Sequence, residues 1–235
     1  TIDSKDLPDT KEEFELNLDY LIDEVKNKRN LIWIYIDIQR SDFIPIATKR
    51  GFFFHSCDEG YILVVKRIKE NAIIPTAANH TLGVGAVVIN DKNEILVIKE
   101  RISNLGYKLP GGHIDNGEMI STAVSREVLE ETGIIVEFES IISLGHFYPH
   151  QFHKSNLYVI CTANPKTFEI NIQDIEEILD AKWVDVNAYL SDEKVLDYSK
   201  AIIVAALEKK GFERINQEVL AHIKKDFELF FPIKK

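Results

Sequence analysis

The chain has 235 residues, 45% of them hydrophobic, enough for two compact units that each bury a core. Its 38 acidic residues against 28 Lys and Arg give a formal net charge of −10. That balance argues against a DNA-reading surface, because phosphate backbones demand a basic excess. No apolar run approaches a membrane span, and Cys57 and Cys161 are too few and too far apart for a disulfide framework. Reduced thiols in a cytoplasmic protein are the expectation. Thr1 is not an initiator Met, so a segment upstream is expected.

Thr10 and Glu13 form a capping box. Phe14, Leu18, Leu21, Ile22 and Val25 follow at helical spacing and predict an amphipathic helix to about Asn30. Residues 31–37 read as a strand. Ser41 is placed to cap a second short helix that ends near Gly51. Residues 52–57 and 61–68 read as a hairpin around Asp58-Glu59-Gly60. This small α/β domain, residues 1–75, carries no catalytic constellation, so packing or dimerisation is the conservative role. Residues 70–80, with Pro75, read as a linker, and the second domain takes residues 76–235.

Pro110-Gly111-Gly112 and Asp115-Asn116-Gly117 then mark a tight loop. Ile120, Val124 and Val128 recur every four residues and predict a helix over 120–132, with Gly133 where a left-handed cap is needed. Strands are expected at 134–144 and 157–163, and a further one begins at Trp183-Val184. Residues 195–209 and 213–231 read as amphipathic helices. Neither tail is basic enough to read as a winged-helix DNA reader.

Within the 120–132 helix, Glu127, Glu130 and Glu131 stand at i, i+3 and i+4 and are expected on one face, away from Val124 and Val128. Like charges at that spacing oppose a helix by roughly 0.2–0.5 kcal/mol per pair, and the dipole at the C-terminal half disfavours anions. A local violation of this kind marks function. A hard divalent cation reverses it, since Mg²⁺ and Mn²⁺ prefer oxygen ligands. Arg126 can clamp a neighbouring carboxylate, Glu118 or Glu127. A bare Glu-x-x-Glu-Glu would read as a solvated face. The full pattern from Gly112 to Ile134 has a chance-match frequency on the order of 10⁻⁷ for a chain of this size.

That pattern resembles the signature of the Nudix hydrolases, Gly-x5-Glu-x7-Arg-Glu-U-x-Glu-Glu-x-Gly-U with U aliphatic, at every fixed position. The resemblance implies hydrolysis of a nucleoside diphosphate linked to another group X, a Mg²⁺ or Mn²⁺ requirement, and an α/β/α sandwich around a mixed sheet. It implies metal ligation by Glu127, Glu130 and Glu131 together with Gly112, which also shapes the loop that meets the phosphates. Glu118 becomes an auxiliary ligand or orienting group, with Arg126 its partner. Family members often add an acidic loop residue about six positions before a Trp. Glu177, ahead of Ala181-Lys182-Trp183, is the first candidate for that ligand or general base, and Glu176 the second.

Tyr107-Lys108-Leu109-Pro110-Gly111-Gly112 resembles the family's Trp-Lys-Leu-Pro-Gly-Gly, and Lys154-Ser155-Asn156-Leu157-Tyr158 resembles a Lys-Ser-Asp-Leu-Tyr element. With residues 1–75, the chain is similar to the subfamily carrying a pre-Nudix domain, which includes the antisense fibroblast-growth-factor Nudix proteins and plant ADP-ribose/NADH pyrophosphatases. That likeness implies an acetyltransferase-like shape for residues 1–75 without that chemistry. It puts ADP-ribose and NADH first as substrates. Coenzyme A, dinucleoside polyphosphates, nucleotide sugars and capped RNA stay open, as do a non-catalytic nucleotide sensor and a growth-regulatory interaction protein. A small-molecule nucleotide partner, no DNA, no membrane and a homodimer are expected.

Candidate substrate contacts are Lys99, Arg101, Gly111, Gly112, Phe147 and Tyr148. Lys99 and Arg101 could meet a diphosphate or be surface charge. His146, His150 and His153 cluster between two expected strands. They read as a wall for base or sugar, with Phe147, Tyr148 or Phe152, or as an exposed loop. Their spacing fits no strong zinc pattern.

Overall fold

Thr10 opens the first helix as the capping box requires: its Oγ1 accepts the Glu13 backbone N–H at 3.2 Å in the computed structural model, which describes residues 1–103, 106–208, 211–215 and 226–232. The chain divides into two units, Thr1–Asn79 and His80–Lys235.

In the first unit, α1 (Lys11–Val25) buries Phe14 and Leu18. It ends before Asn30, because the Lys28 and Arg29 N–H groups both turn back to the Val25 carbonyl, each at 2.9 Å. Strands β1 (Leu31–Asp37), β2 (Phe53–Cys57) and β3 (Tyr61–Arg67) form an antiparallel sheet in the order β1-β3-β2. β1 alternates buried Ile32, Ile34 and Ile36 with half-buried neighbours, the pattern of a strand with one core face. Between β1 and β2, a 3-10 segment Ile38–Phe43 runs into α2 (Ile44–Lys49). Ser41 lies inside that segment rather than at a cap, and α2 starts without a side-chain cap, with a Pro in its first turn. The core gathers Phe14, Leu18, Ile34, Phe43, Phe52 and Val64, with the Phe14 and Phe43 rings stacked at 4.4 Å.

In the second unit, β4 (His80–Val88) pairs parallel with β7 (Ser155–Pro165), and β6 (Val136–Phe147) pairs antiparallel with β7. Short strands β9 (Phe212–Arg214) and β10 (Phe230–Pro232) extend this mixed sheet to the order β10-β9-β6-β7-β4. β5 (Glu94–Glu100) and β8 (Ile178–Asp185) form a separate antiparallel pair. Helix α3 (Ile120–Thr132) packs Ala123, Val124 and Val128 into a core with Val84, Leu96, Ile134 and Cys161. Helices α4 (Val186–Ser191) and α5 (Asp197–Leu207) serve a second cluster with Val87, Val97 and Ile160. The mixed-sheet α/β class expected from the sequence is what the structure has.

Further sequence expectations change in the second unit. β8 begins at Ile178, not at Trp183: Ile178 and Ala181 are buried and pair with Glu100 and Ile98 of β5. The expected helix over 213–231 is a strand at both ends, since Phe212–Arg214 and Phe230–Pro232 pair with one another. Residues 216–225 between them lie outside the described residues. His146 belongs to β6 rather than to the loop after it. No described helix is long and apolar enough to cross a membrane. Cys57 is exposed, Cys161 is buried, and both are free thiols.

Gly133 ends α3 at φ +74°, and its N–H bonds the Leu129 carbonyl at 2.7 Å. A Cβ there would stand 2.3 Å from the Asn171 carbonyl oxygen, held in place by the Asn171 N–H bond to Thr132 O. Both the backbone angle and the space require glycine. Gly133→Ala is expected to lower stability by about 1–3 kcal/mol, read from the urea midpoint. An unchanged midpoint would contradict the account of this cap.

Candidate functional site

The loop before α3 is held to the sheet at nearly every step. Ile98 and Lys108 exchange backbone hydrogen bonds, the Ala86 N–H bonds Pro110 O at 2.9 Å, and the Val84 N–H bonds Gly112 O at 2.8 Å. The Ile114 N–H then bonds Leu82 O at 3.0 Å. Residues 108–114 thus run as a strap across β4 and β5, and place the Gly111 and Gly112 backbone against α3.

Gly112 leaves room for the Glu127 carboxylate. A Cβ would lie 2.7 Å from both carboxylate oxygens of Glu127. The backbone and that carboxylate therefore approach each other with nothing between them.

Arg126 organises the acidic face. Its Nε and Nη2 donate to the two oxygens of Glu118, at 2.9 and 2.8 Å, a fork-to-fork pair. Nη1 donates to Glu127 at 2.9 Å and to Glu130 at 3.1 Å, and Nη2 also to the His113 carbonyl at 3.0 Å. The guanidinium holds the Glu118 carboxyl below the usual carboxylate range, and the same pair raises Arg126 itself. Arg126 thus clamps both carboxylates that the sequence offered it, and Glu130 as well.

Glu131 departs from the expected outward face. It is 4% exposed and accepts the Gly111 N–H at 2.7 Å. Burial pushes its carboxyl up to about 8, against the pull of the Gly111 N–H and Lys108, while Glu127 and Glu177 push it further. Burial also raises Glu127, with Arg126 opposing and Glu130 and Glu177 adding.

Arg126, Glu127, Glu130 and Glu131 line one cavity of about 260 Å³, with Gly112, His113, Asp115, Asp174 and Glu177. Asp174 Oδ1 accepts the Glu177 N–H at 3.0 Å, and the Arg101 N–H bonds Glu177 O at 2.9 Å. Glu177 is thereby presented from the turn before β8. A neighbouring cavity of about 200 Å³ shares Gly112, His113 and Glu177, and adds Gly111, Glu100, Lys108, His150, Asn156 and Tyr158.

Lys99 and Arg101 line neither cavity; the Arg101 side chain donates to the Ile175 carbonyl at 2.7 Å and braces the Glu177 turn. Phe147 and Tyr148 also lie outside both linings, 42% and 70% exposed, with the Phe147 ring edge-on to Tyr198. Glu176 borders a third cavity with Glu177 and Ile102. Of the three clustered histidines, His150 reaches the smaller cavity, while His146 Nε2 meets His80 Nε2 at 3.0 Å. Sequence reasoning passed over Lys108, which pairs with Glu100 beside the acidic cluster, and His113. The position of Lys108 next to the loop glycines was the available signal.

Among the described residues no three Asp, Glu, His or Cys groups already converge at ligand spacing. Glu127 and Glu130 lean on Arg126 instead. The donor chemistry nevertheless fits a hard cation: crowded carboxylates, two of them held above their ordinary range, face a glycine backbone across one cavity.

Comparison with known proteins gives a match of residues 79–205 to the NUDIX domain profile and of residues 1–68 to a Nudix hydrolase domain profile. Nudix hydrolase 8 of Arabidopsis thaliana is 36% identical over 166 residues, 68% of this chain and 44% of that protein. Nudix hydrolase 2 of the same plant is 35% identical over 172 residues, 71% of this chain and 62% of that protein. Nucleoside diphosphate-linked moiety X motif 6 of Homo sapiens is 34% identical over 199 residues, covering 81% and 62%. The chain thus covers between 44% and 62% of the length of these relatives.

Buried, crowded Glu131 burdens the cation-free fold. Its protonated form favours the folded state, a contribution complete below the ordinary value of 4.5 and lost as pH rises through about 8. Glu131→Gln keeps an acceptor for Gly111 N–H and removes the charge. Without divalent cation at pH 8, this variant is expected to melt about 2–4 °C higher, what roughly 1 kcal/mol gives in a chain of this size. A variant that melts lower would contradict the reading of Glu131 as a strained carboxylate.

Proposed function

This chain belongs to the Nudix hydrolase family, and from that premise we propose that it hydrolyses nucleoside diphosphates linked to a second group X with Mg²⁺ or Mn²⁺, ADP-ribose or NADH being the preferred substrates. The observation that carries this reading is the gathering of Glu127, Glu130, Glu131 and Glu177 around one cavity floored by the Gly112 backbone.

Glu127, Glu130 and Glu131, with the Gly112 carbonyl, would hold the cation. That carbonyl gives one lone pair to the Val84 N–H and keeps another. When bound, such a cation neutralises phosphate oxygens and lowers the pKa of an attacking water. The chain's own groups do the rest. Glu177 stands on a braced turn and takes the proton from the water. Lys108 lies beside the carboxylates and offsets the negative charge of the phosphates. Arg126, anchored by Glu118, holds Glu127 and Glu130 at the cavity and would release them to the cation as it binds. Gly111 and Gly112 let the diphosphate approach the backbone closely. The products are a nucleoside monophosphate and a phosphorylated X.

The test is a panel of diphosphate compounds with each cation, products resolved by mass. Release of AMP from ADP-ribose or NADH supports the reading; binding of ADP-ribose with Mg²⁺ and no AMP release would favour a nucleotide sensor. Glu130→Gln and Glu131→Gln are each expected to cut turnover about a hundredfold or more with folding intact. Near-normal turnover in either would remove that residue from the proposed ligand set.

A further inference from the structure

Helix α3 lacks a local N-cap. Met119 occupies the cap position with the backbone angles of a capping residue, φ −85° and ψ 149°, but no side-chain hydrogen bond. The Ser121 N–H at the second helical position is the donor that a capping side chain would satisfy. Its acceptor comes from more than a hundred residues downstream: both Glu228 carboxylate oxygens lie 3.4 Å from Ser121 N, and the Ser121 hydroxyl also donates to Glu228. Arg214 completes the group, with Nη1 at 3.0 Å from Ser121 Oγ and 3.2 Å from Glu228. The Glu228 side chain is only 5% exposed. A carboxylate that deeply covered is held there by its partners rather than by solvent.

The residues that follow Glu228 are anchored to the sheet. Phe230–Pro232 pairs with Phe212–Arg214, and the Ile215 N–H bonds Leu229 O at 2.9 Å. Phe212 and Glu213 pair with Ile141 and Ser140 of β6, and the Phe230 ring packs 5.6 Å from Phe138.

We propose that Glu228 is a positioning residue for the catalytic helix: it caps α3 from the C-terminal strands and so holds the metal-binding carboxylates in register. The connection runs through Glu118. Glu118 directly precedes the cap position, and its carboxylate grips Arg126, which in turn holds Glu127 and Glu130. If the first turn of α3 frays, Glu118 loosens, and the guanidinium fork loosens with it. An anion at a helix N-terminus also favours the helix dipole.

The inference rests on the hydrolase reading for its kinetic readout, and amide exchange tests it without substrate. In Glu228→Ala, the Ser121 amide and its first-turn neighbours are expected to exchange about fivefold faster or more, while α5 is unchanged. The half-saturating Mg²⁺ concentration rises and kcat falls about tenfold, with a smaller change in KM. Glu228→Gln, which keeps volume and an acceptor oxygen, shows smaller losses in both readouts and stands in if the Ala variant does not fold. Met119→Asp in the Glu228→Ala background supplies a local cap and is expected to restore both. Unchanged exchange in Glu228→Ala, or failure of Met119→Asp to restore it, overturns the proposal. An inactive parent chain with the exchange pattern above would instead count against the hydrolase reading alone.

Discussion

The Arg126 guanidinium touches three carboxylates and one backbone carbonyl, and the acidic face of α3 depends on that contact. Without it, Glu127 and Glu130 would repel each other on one helix face, close to the C-terminal end where the dipole disfavours anions. The fork to Glu118 is the strongest part, because both oxygens are engaged in parallel. Glu118 is itself tied down by the Asp115 N–H at 3.1 Å. The loop, the start of α3 and its acidic end are therefore one connected piece, and a disturbance at residues 115–121 reaches Glu127.

The second constraint is the strap over residues 108–114, which brings a glycine backbone against the carboxylates and buries Glu131 behind it. Local stability is given up here. A carboxylate pushed up to about 8 by burial, next to Glu127 and Glu177, disfavours the cation-free fold at neutral pH. Strain of this kind persists only where the surroundings over-determine it, and the strap's hydrogen bonds to β4 and β5 supply that. The same crowding would give a divalent cation its purchase, because binding would relieve repulsion as well as form bonds.

Much of this was legible in the sequence because it was periodic or sterically forced. The four-residue repeat of Ile120, Val124 and Val128, closed by Gly133, located α3 at about the span the structure has. The isoleucine- and aromatic-rich run of β1 suits a strand, and its alternation shows only in the burial. The direction of Glu131 was not legible: helical spacing puts it beside Glu127, but the Gly111 N–H, twenty residues away in sequence, draws it inward. The start of β8 was missed because Asp180 and Lys182 interrupt the apolar residues ahead of Trp183, and only pairing with β5 reveals the strand. The 213–231 region has apolar residues at spacings that suit a helix, yet its ends are strands because long-range pairing to β6 overrides local pattern. Lys108 carries no periodic signal, and its place beside the acidic cluster follows from the backbone pairing of Lys108 with Ile98.

The central claim is that the acidic face of α3 is arranged around a hard divalent cation. Mn²⁺ titration followed by electron paramagnetic resonance tests it most directly, since bound Mn²⁺ loses the sharp signal of the free ion. The account predicts at least one Mn²⁺ bound per chain in the parent protein, with binding weakened about tenfold or more by Glu127→Gln or Glu130→Gln. A free-ion signal undiminished by the parent chain, or binding that survives both substitutions unchanged, would contradict it.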